Sequence, residues 1–87
     1  MTDPLRGDPD QTLIYGVDTC EDTLRARARF DAAGRPYRYV NLEHETAVRA
    51  SLHARGLSST PVVVTPGGRM EMEPTDATLD ELLAETG

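Results

Sequence analysis

Residues 12–23 read TLIYGVDTCEDT and predict a buried strand that leads directly into a helix. The first six are almost all β-branched, aromatic or aliphatic, which is typical of a strand covered on both faces. Thr19 stands three residues before Asp22, the spacing of a capping box, and helix-forming residues continue to Gly34, where a helix would stop. The single cysteine, Cys20, is therefore expected at the start of the first helix.

The rest of the chain alternates strands and helices in a definite order. Short β-branched or alternating segments predict three more strands, and apolar residues at helical spacing predict two more helices. The predicted strands cover residues 12–17, 37–42, 61–65 and 69–73, and the predicted helices cover residues 24–33, 45–55 and the segment that follows a cap at Thr75. Because a helix connects the first two strands, they should run parallel. The order β-α-β-α-β-β-α predicts an α/β three-layer sandwich around a mixed four-stranded sheet.

The length of 87 residues limits the chain to one small domain. Residues 1–11 contain only Leu5 as a sizeable apolar side chain, and such a segment cannot bury enough surface to order itself. We therefore expect a flexible tail at residues 1–11 and one folded domain at residues 12–87.

The charge and the cysteine content restrict the possible partners. A net charge of −6 and a pI near 4.7 argue against nucleic acid and anionic membranes, because both attract clustered positive charge. The sequence lacks an apolar run of about 20 residues and does not begin like a signal peptide, so a cytoplasmic location is expected. One cysteine excludes an internal disulfide, and neither His44 nor His53 has a second ligand at metal spacing, so no metal site is predicted.

Cys20 is the candidate nucleophile of the chain. At a helix N-terminus, the unpaired N–H groups and the helix dipole favour the thiolate. A structural role is the alternative, since free cysteine is among the most often buried residue types, and Thr19 with Asp22 would cap the helix whether or not the thiol reacts. The residues by themselves leave both interpretations open.

Three segments lie in an order that resembles a known family. They are YGVDTCEDT at residues 15–23, GRPY at residues 34–37 and STPVV at residues 59–63. Together they resemble the glutaredoxin branch of the thioredoxin fold, over roughly residues 13–83. The resemblance implies a thioredoxin-like three-layer sandwich, and it makes residues 12–87 a glutaredoxin-like domain.

The resemblance also implies roles for particular residues. Cys20 would attack a disulfide, Pro61 would form a cis peptide bond that faces the sulfur, and the backbone of Thr60 would pair with the peptide part of a bound thiol. Thr23 stands where dithiol members of the family keep a second, resolving cysteine. That difference leaves only monothiol chemistry, with Thr23 placed to hydrogen-bond the thiolate.

Acidic residues surround the predicted nucleophile, where family members often carry a lysine. Asp18, Glu21 and Asp22 are expected to raise the pKa of the Cys20 thiol and so to oppose the helix N-terminus. The first helix also carries basic residues on more than one side, any one of which could meet a carboxylate of a bound thiol. They are Arg25, Arg27 and Arg29.

The segment at residues 72–75 departs from the family most clearly. Glutathione-dependent members have a Gly-Gly turn and an aspartate here, which hold the charged groups of the thiol, and the resemblance implies Thr75 and Asp76 as the substrate-binding residues. The segment is closer to mycothiol-using members from actinobacteria, and the use of arginine for all nine basic residues agrees with that origin. The implied co-substrate is glutathione or mycothiol, with no tightly bound cofactor.

These observations predict a monothiol thiol–disulfide oxidoreductase that acts, as a monomer, on mixed disulfides of proteins or small molecules. One alternative is a thioredoxin-fold docking or carrier module that has lost catalysis because of its acidic site. Another is a carrier of a [2Fe–2S] cluster, but those members resemble Cys-Gly-Phe-Ser, and residues 21–23 differ at all three positions after the cysteine.

Overall fold

The computed structural model describes residues 10–86. Most of the predicted tail, residues 1–9, lies outside the described residues. The elements are β1 (Thr12–Gly16), α1 (Glu21–Ala32), β2 (Tyr37–Asn41), α2 (Thr46–Ala54), β3 (Val62–Val64), β4 (Met70–Met72) and α3 (Asp76–Thr86). The predicted order of seven elements is confirmed, and each element lies within its predicted segment or begins a few residues before it.

The four strands form one mixed sheet in the order β2-β1-β3-β4. β1 runs parallel to β2, with Thr12 beside Tyr37, because α1 carries the chain back across the sheet between them. β3 runs antiparallel to β1, and β4 runs antiparallel to β3. β1 and β3 are therefore the central strands. The carboxyl end of β1 lies beside the amino end of β3, at the same end of the sheet.

Alternation along β1 divides the core between the two faces of the sheet. Leu13 and Tyr15 pack with Leu52 of α2 on one face. Ile14 packs on the other face with Phe30 of α1 and with leucines of α3. Full burial of each such side chain contributes about 1.5–3 kcal/mol, so both faces are needed for stability. The predicted three-layer sandwich is confirmed, and its layers are α2, the sheet, and α1 together with α3.

The predicted capping box at the start of α1 is wrong. The residue that caps α1 is Cys20, which has an extended backbone, and no side chain makes a cap hydrogen bond there. The Cys20 N–H donates to the carbonyl of Val17 at 3.2 Å, which closes a tight turn and leaves Thr19 exposed, outside the helix. The predicted cap of α3 is confirmed, since the Thr78 N–H donates to Thr75 Oγ1 at 3.2 Å.

Glu73, in the turn between β4 and α3, has a left-handed backbone with φ of 47°. Its N–H donates to the carbonyl of Pro61 at 2.8 Å, which holds the turn against the segment that precedes β3. A residue with a Cβ atom is strained in this conformation, whereas glycine adopts it freely.

Glu73→Gly is therefore expected to stabilise the protein by up to about 1 kcal/mol, since the relief of strain exceeds the entropy that glycine loses on folding. Urea denaturation of the two proteins measures the difference. Glu73→Ala is the matched control, because it removes the carboxylate but keeps the Cβ atom. An equal gain from alanine would show that charge, and not backbone strain, is responsible.

None of the helices in the described part of the chain is long and apolar enough to cross a membrane.

Candidate active site

Cys20 lies at the N-terminus of α1, beyond the carboxyl end of β1, and its side chain is half-buried. Its Sγ donates a hydrogen bond to the backbone carbonyl of Thr60 at 3.6 Å, although 40 residues separate the two in sequence. The Thr60–Pro61 peptide bond is cis, which is the isomer that the family resemblance implies. The fold thus brings together two of the segments on which the resemblance depends.

Pro61 is buried at the start of β3, and Thr60 beside it is half-buried. The Pro61 carbonyl accepts the N–H of Glu73, so the segment at residues 60–61 lies between the sulfur and the turn that leads to α3. Direct contact of the Pro61 ring with the sulfur stays a prediction. The arrangement leaves a thiol with solvent access beside a fixed stretch of backbone.

The environment of Cys20 favours its thiolate. Burial of the sulfur raises the pKa of Cys20, but the hydroxyl groups of Thr60 and Thr23 and the backbone N–H groups of Thr23 and Asp22, all close to the sulfur, lower it by more. The net pKa lies below its ordinary value. The two N–H groups belong to the first turn of α1, where a helix leaves its donors unpaired.

Thr23 lies in the first turn of α1, and its side chain is completely buried. Apart from its influence on the Cys20 sulfur, its hydroxyl makes no hydrogen bond among the described residues. Its side chain fills the space above Gly16, where an added Cβ atom would lie only 2.5 Å from both Thr23 Cγ2 and Oγ1. Because Gly16 has no side chain, the first turn of α1 can pack closely against the end of β1. This packing sets the position of Cys20 at the start of that helix.

The carboxylates near Cys20 are held by other groups. Asp18 Oδ1 accepts the Tyr39 hydroxyl at 2.8 Å, and Asp18 Oδ2 accepts Asn41 Nδ2 at 3.3 Å. Asp22 forms an ion pair with Arg25 at 3.2 Å. The sequence analysis expected these acids to raise the pKa of the thiol, but the net shift is downward, because hydrogen bonds to the sulfur outweigh the opposing effects.

Tyr39 is the centre of the network that holds Asp18. The Arg27 guanidinium stacks over the Tyr39 ring, 3.9 Å from its centroid. Burial of the ring and then its hydrogen bond to Asp18 raise the pKa of Tyr39 to about 12, so the phenol stays protonated as a donor. Residues of β2 and α1 thus keep the Asp18 carboxylate fixed against the sheet.

Tyr39→Phe is expected to raise the pKa of the Cys20 thiol relative to the wild type, because the Asp18 carboxylate, then held only by Asn41, would act more strongly on the sulfur. Alkylation of the thiol at neutral pH should slow by about twofold, the size of an exposed charge interaction. Ultraviolet titration of the thiolate and the alkylation rate measure the effect. Tyr37→Phe is the matched control, since the Tyr37 hydroxyl contacts Arg27 and Asp31 and not Asp18. Equal changes in the Cys20 pKa of the two variants would contradict the expectation.

Thr75 and Asp76, the implied substrate-binding residues, are exposed at the start of α3. Thr75 Oγ1 serves as the helix cap, and Asp76 Oδ1 forms an ion pair with Arg25 Nε at 3.2 Å. Because Arg25 also binds Asp22, it connects the start of α3 to the start of α1 close to Cys20. The sequence could not distinguish this arginine from Arg27 on Tyr39 or from Arg29, which pairs with Asp80.

A pocket of about 340 Å³ lies elsewhere, between β2 and the start of α2, with Tyr15, Val40 and His44 among its lining residues. None of the predicted site residues lines it. The described residues also include no cluster of His, Cys, Asp or Glu that could hold a metal ion.

Comparison with known proteins shows which family the chain resembles. A family model described as glutaredoxin matches residues 12–70. The crystal structure of a glutaredoxin from Archaeoglobus fulgidus is similar, with 25% sequence identity, coverage of 85% of this chain and 86% of that chain, and a TM-score of 0.72. Wheat glutaredoxin shares the fold, with 20% identity, coverage of 95% and 86%, and a TM-score of 0.71. None of the curated proteins compared with the chain matches it.

Proposed function

This chain belongs to the glutaredoxin family of thiol–disulfide oxidoreductases, and from that premise we propose that it is a monothiol enzyme that removes a low-molecular-weight thiol from mixed disulfides. Cys20 carries the covalent intermediate. The observation that carries this proposal is the half-buried sulfur at the start of α1, which has a lowered pKa and faces the Thr60 backbone. These features supply a nucleophile and a surface on which a substrate can align.

The reaction has two exchange steps. The Cys20 thiolate attacks the low-molecular-weight half of the mixed disulfide, forming a new S–S bond while the target leaves as a thiolate and takes a proton from water. A second low-molecular-weight thiolate then attacks that bond, leaves as a symmetric disulfide and restores the Cys20 thiolate. Thr23 occupies the place of a resolving cysteine, which supports release by a thiol from solution.

The surrounding residues have distinct roles in this proposal. The Thr23 hydroxyl, which has no other acceptor among the described residues, donates to the thiolate of Cys20. The Thr60 backbone, fixed by the following Pro61, aligns the peptide part of the bound thiol. Thr75 and Asp76 hold the far end of that thiol, at the start of α3.

The co-substrate is glutathione or mycothiol, and the reaction requires no tightly bound cofactor. We expect the protein to act as a monomer, since each exchange step needs only one Cys20 and a thiol from solution. We expect it to act in the cytoplasm. Its targets are protein or small-molecule mixed disulfides, with no role for nucleic acid or membrane. The lowered pKa of Cys20 supports catalysis over the alternative of a docking module.

The test is to incubate the wild-type protein with peptide mixed disulfides of glutathione and of mycothiol. We expect faster release of the peptide thiol than in its absence, and an intact mass that shows one thiol moiety added at Cys20. If neither mixed disulfide yields an adduct or a rate above background, the enzyme proposal fails and the docking module is favoured. Visible absorbance after anaerobic reconstitution with iron and sulfide would instead favour the [2Fe–2S] carrier.

A further inference from the structure

We propose that the cavity between β2 and the start of α2 is a second binding site, and that it takes a free α-amino acid with an apolar side chain. The cavity has a volume of about 340 Å³. Small-molecule pockets range from about 300 to 1,000 Å³, so this one suits a small metabolite better than a large cofactor. The proposal is independent of the thiol chemistry, since Cys20 does not line the cavity.

The cavity exists because one helix covers one face of a four-stranded sheet. A helix with its side chains is about 10 Å wide, whereas four strands about 4.8 Å apart form a wider surface. α2 packs through Leu52 against the central strands, where it meets Leu13 and Tyr15 of β1. The part of this face above the edge strand β2 is therefore covered incompletely.

The apolar part of the cavity fits a hydrocarbon side chain. Leu13 and Tyr15 are buried and form part of its lining. Val40 of β2 and Val48 of α2 also line it, and both are only half-buried. An apolar group that enters the cavity removes these valines from water, which favours binding.

The polar part of the cavity carries two opposite charges. Arg38 of β2 and Glu45 at the start of α2 both line the cavity and are exposed. Within residues 10–86, neither side chain has a hydrogen-bond or ion-pair partner, whereas Arg29 and Arg69 are paired with carboxylates. An α-carboxylate can accept hydrogen bonds from Arg38, and an α-ammonium group can donate to Glu45.

The open edge of β2 adds backbone groups to the site. The Leu42 N–H donates to the carbonyl of Gly16 at 2.9 Å, and the direction of the backbone groups alternates along a strand, so the N–H and C=O of Tyr39 point away from β1. β2 is an edge strand, which leaves these groups unpaired. Tyr39 lines the cavity although its ring packs on the opposite face of the sheet, so it reaches the cavity through its backbone.

The charges favour a zwitterion over a simple acid or amine. The chain has a net charge of −6, which repels a free anion, and Glu45 adds to that repulsion inside the cavity. A simple amine would meet Arg38 without an anionic group to pair with it. An amino acid satisfies both side chains and carries no net charge.

The experiment measures binding from the amide chemical shifts of the isotope-labelled protein. L-Phenylalanine carries both charges, hydrocinnamate lacks the ammonium group, and phenethylamine lacks the carboxylate. The proteins are the wild type, Arg38→Gln, Glu45→Gln and Cys20→Ser. Arg49→Gln is the matched control, because Arg49 is exposed on α2 outside the cavity and its loss changes the net charge as the loss of Arg38 does.

We expect L-phenylalanine to bind the wild type with a millimolar Kd, the scale for a ligand of its size, and to shift the amides of the lining residues. Each analogue should bind at least about threefold more weakly. Arg38→Gln should weaken phenylalanine and hydrocinnamate by about threefold or more and leave phenethylamine within about twofold, and Glu45→Gln should weaken phenylalanine and phenethylamine instead. Arg49→Gln and Cys20→Ser should bind phenylalanine within about twofold of the wild type.

The absence of a saturable shift at the cavity overturns the proposal, and so does an equal loss of affinity in Arg38→Gln and Arg49→Gln. Binding of either analogue as tightly as phenylalanine also overturns it, because the zwitterion would then have no role. Shifts of the β2 amides that depend on protein concentration, with no further change on adding phenylalanine, would show a second copy of this chain at the open edge instead. A failure of the mixed-disulfide assay leaves the proposal unaffected, since none of these measurements uses the thiol.

Discussion

Cys20→Ser should lower the rate of mixed-disulfide reduction by at least about 100-fold, to the level of uncatalysed exchange. The chain has one cysteine, so no other thiol can take over the attack. A serine hydroxyl is almost fully protonated at neutral pH, and the groups that lower the pKa of Cys20 cannot bring a hydroxyl into that range. The measurement is release of the peptide thiol under the conditions of the wild-type assay.

Serine is nearly the same size as cysteine, so the fold should persist, and thermal unfolding followed by circular dichroism checks this. Thr19→Ser serves as a control, because Thr19 is exposed, next to Cys20 and outside the helix. It should keep the wild-type rate. Activity in Cys20→Ser well above the uncatalysed rate would show that the mixed disulfide is not reduced through Cys20.

Gly16→Ala should destabilise the protein by about 3 kcal/mol, at the upper end of the range for an overpacked core. The added Cβ atom would lie 2.5 Å from two atoms of Thr23 and 3.1 Å from a third. Thr23 is fully buried, so it has little room to move, and the first turn of α1 must be displaced instead. Urea denaturation measures the stability, and the thiolate titration shows whether Cys20 has moved away from its hydrogen-bond partners.

Gly67→Ala is the matched control, because its nearest contact would be Thr65 Oγ1 at an ordinary 3.9 Å. Its stability should change by no more than about 0.5 kcal/mol. Adding Thr23→Ala to Gly16→Ala should recover part of the loss, since it removes the two closest atoms, and the double-mutant cycle measures that coupling. Equal losses from Gly16→Ala and Gly67→Ala would contradict the packing argument.

The fold could be predicted because the residue pattern within each segment indicates whether that segment is a strand or a helix. The β-branched run before Asp18 is typical of a covered strand, and the alternation after Gly68 is typical of the second strand of a hairpin. The capping box predicted for α1 was wrong because a backbone hydrogen bond forms in its place. Thr19 has the right spacing, but the Cys20 N–H reaches the Val17 carbonyl and closes the turn first, and the sequence pattern does not show that competition.

The contacts that shape the candidate site could not be predicted in the same way. Arg25, Arg27 and Arg29 look equivalent in sequence, and only the packing of α1 against β2 and α3 decides that they meet different partners. The hydrogen bond from Tyr39 to Asp18 likewise depends on the parallel pairing of β1 and β2. Gly16 carries a signal that could have been noticed, since a glycine at the end of a covered strand often marks a close approach.

The central position of β3 has a consequence for motion at the site. All three of its residues are at most 1% exposed, and it is paired with β1 on one side and β4 on the other. Backbone amides in such a strand exchange with deuterium only when the whole molecule unfolds, whereas helix ends exchange through local fraying. Thr60 and Pro61 directly precede this strand, so we expect their backbone to move little. Local opening at the candidate site is therefore expected in the first turn of α1, which carries Cys20, and hydrogen exchange measures the difference.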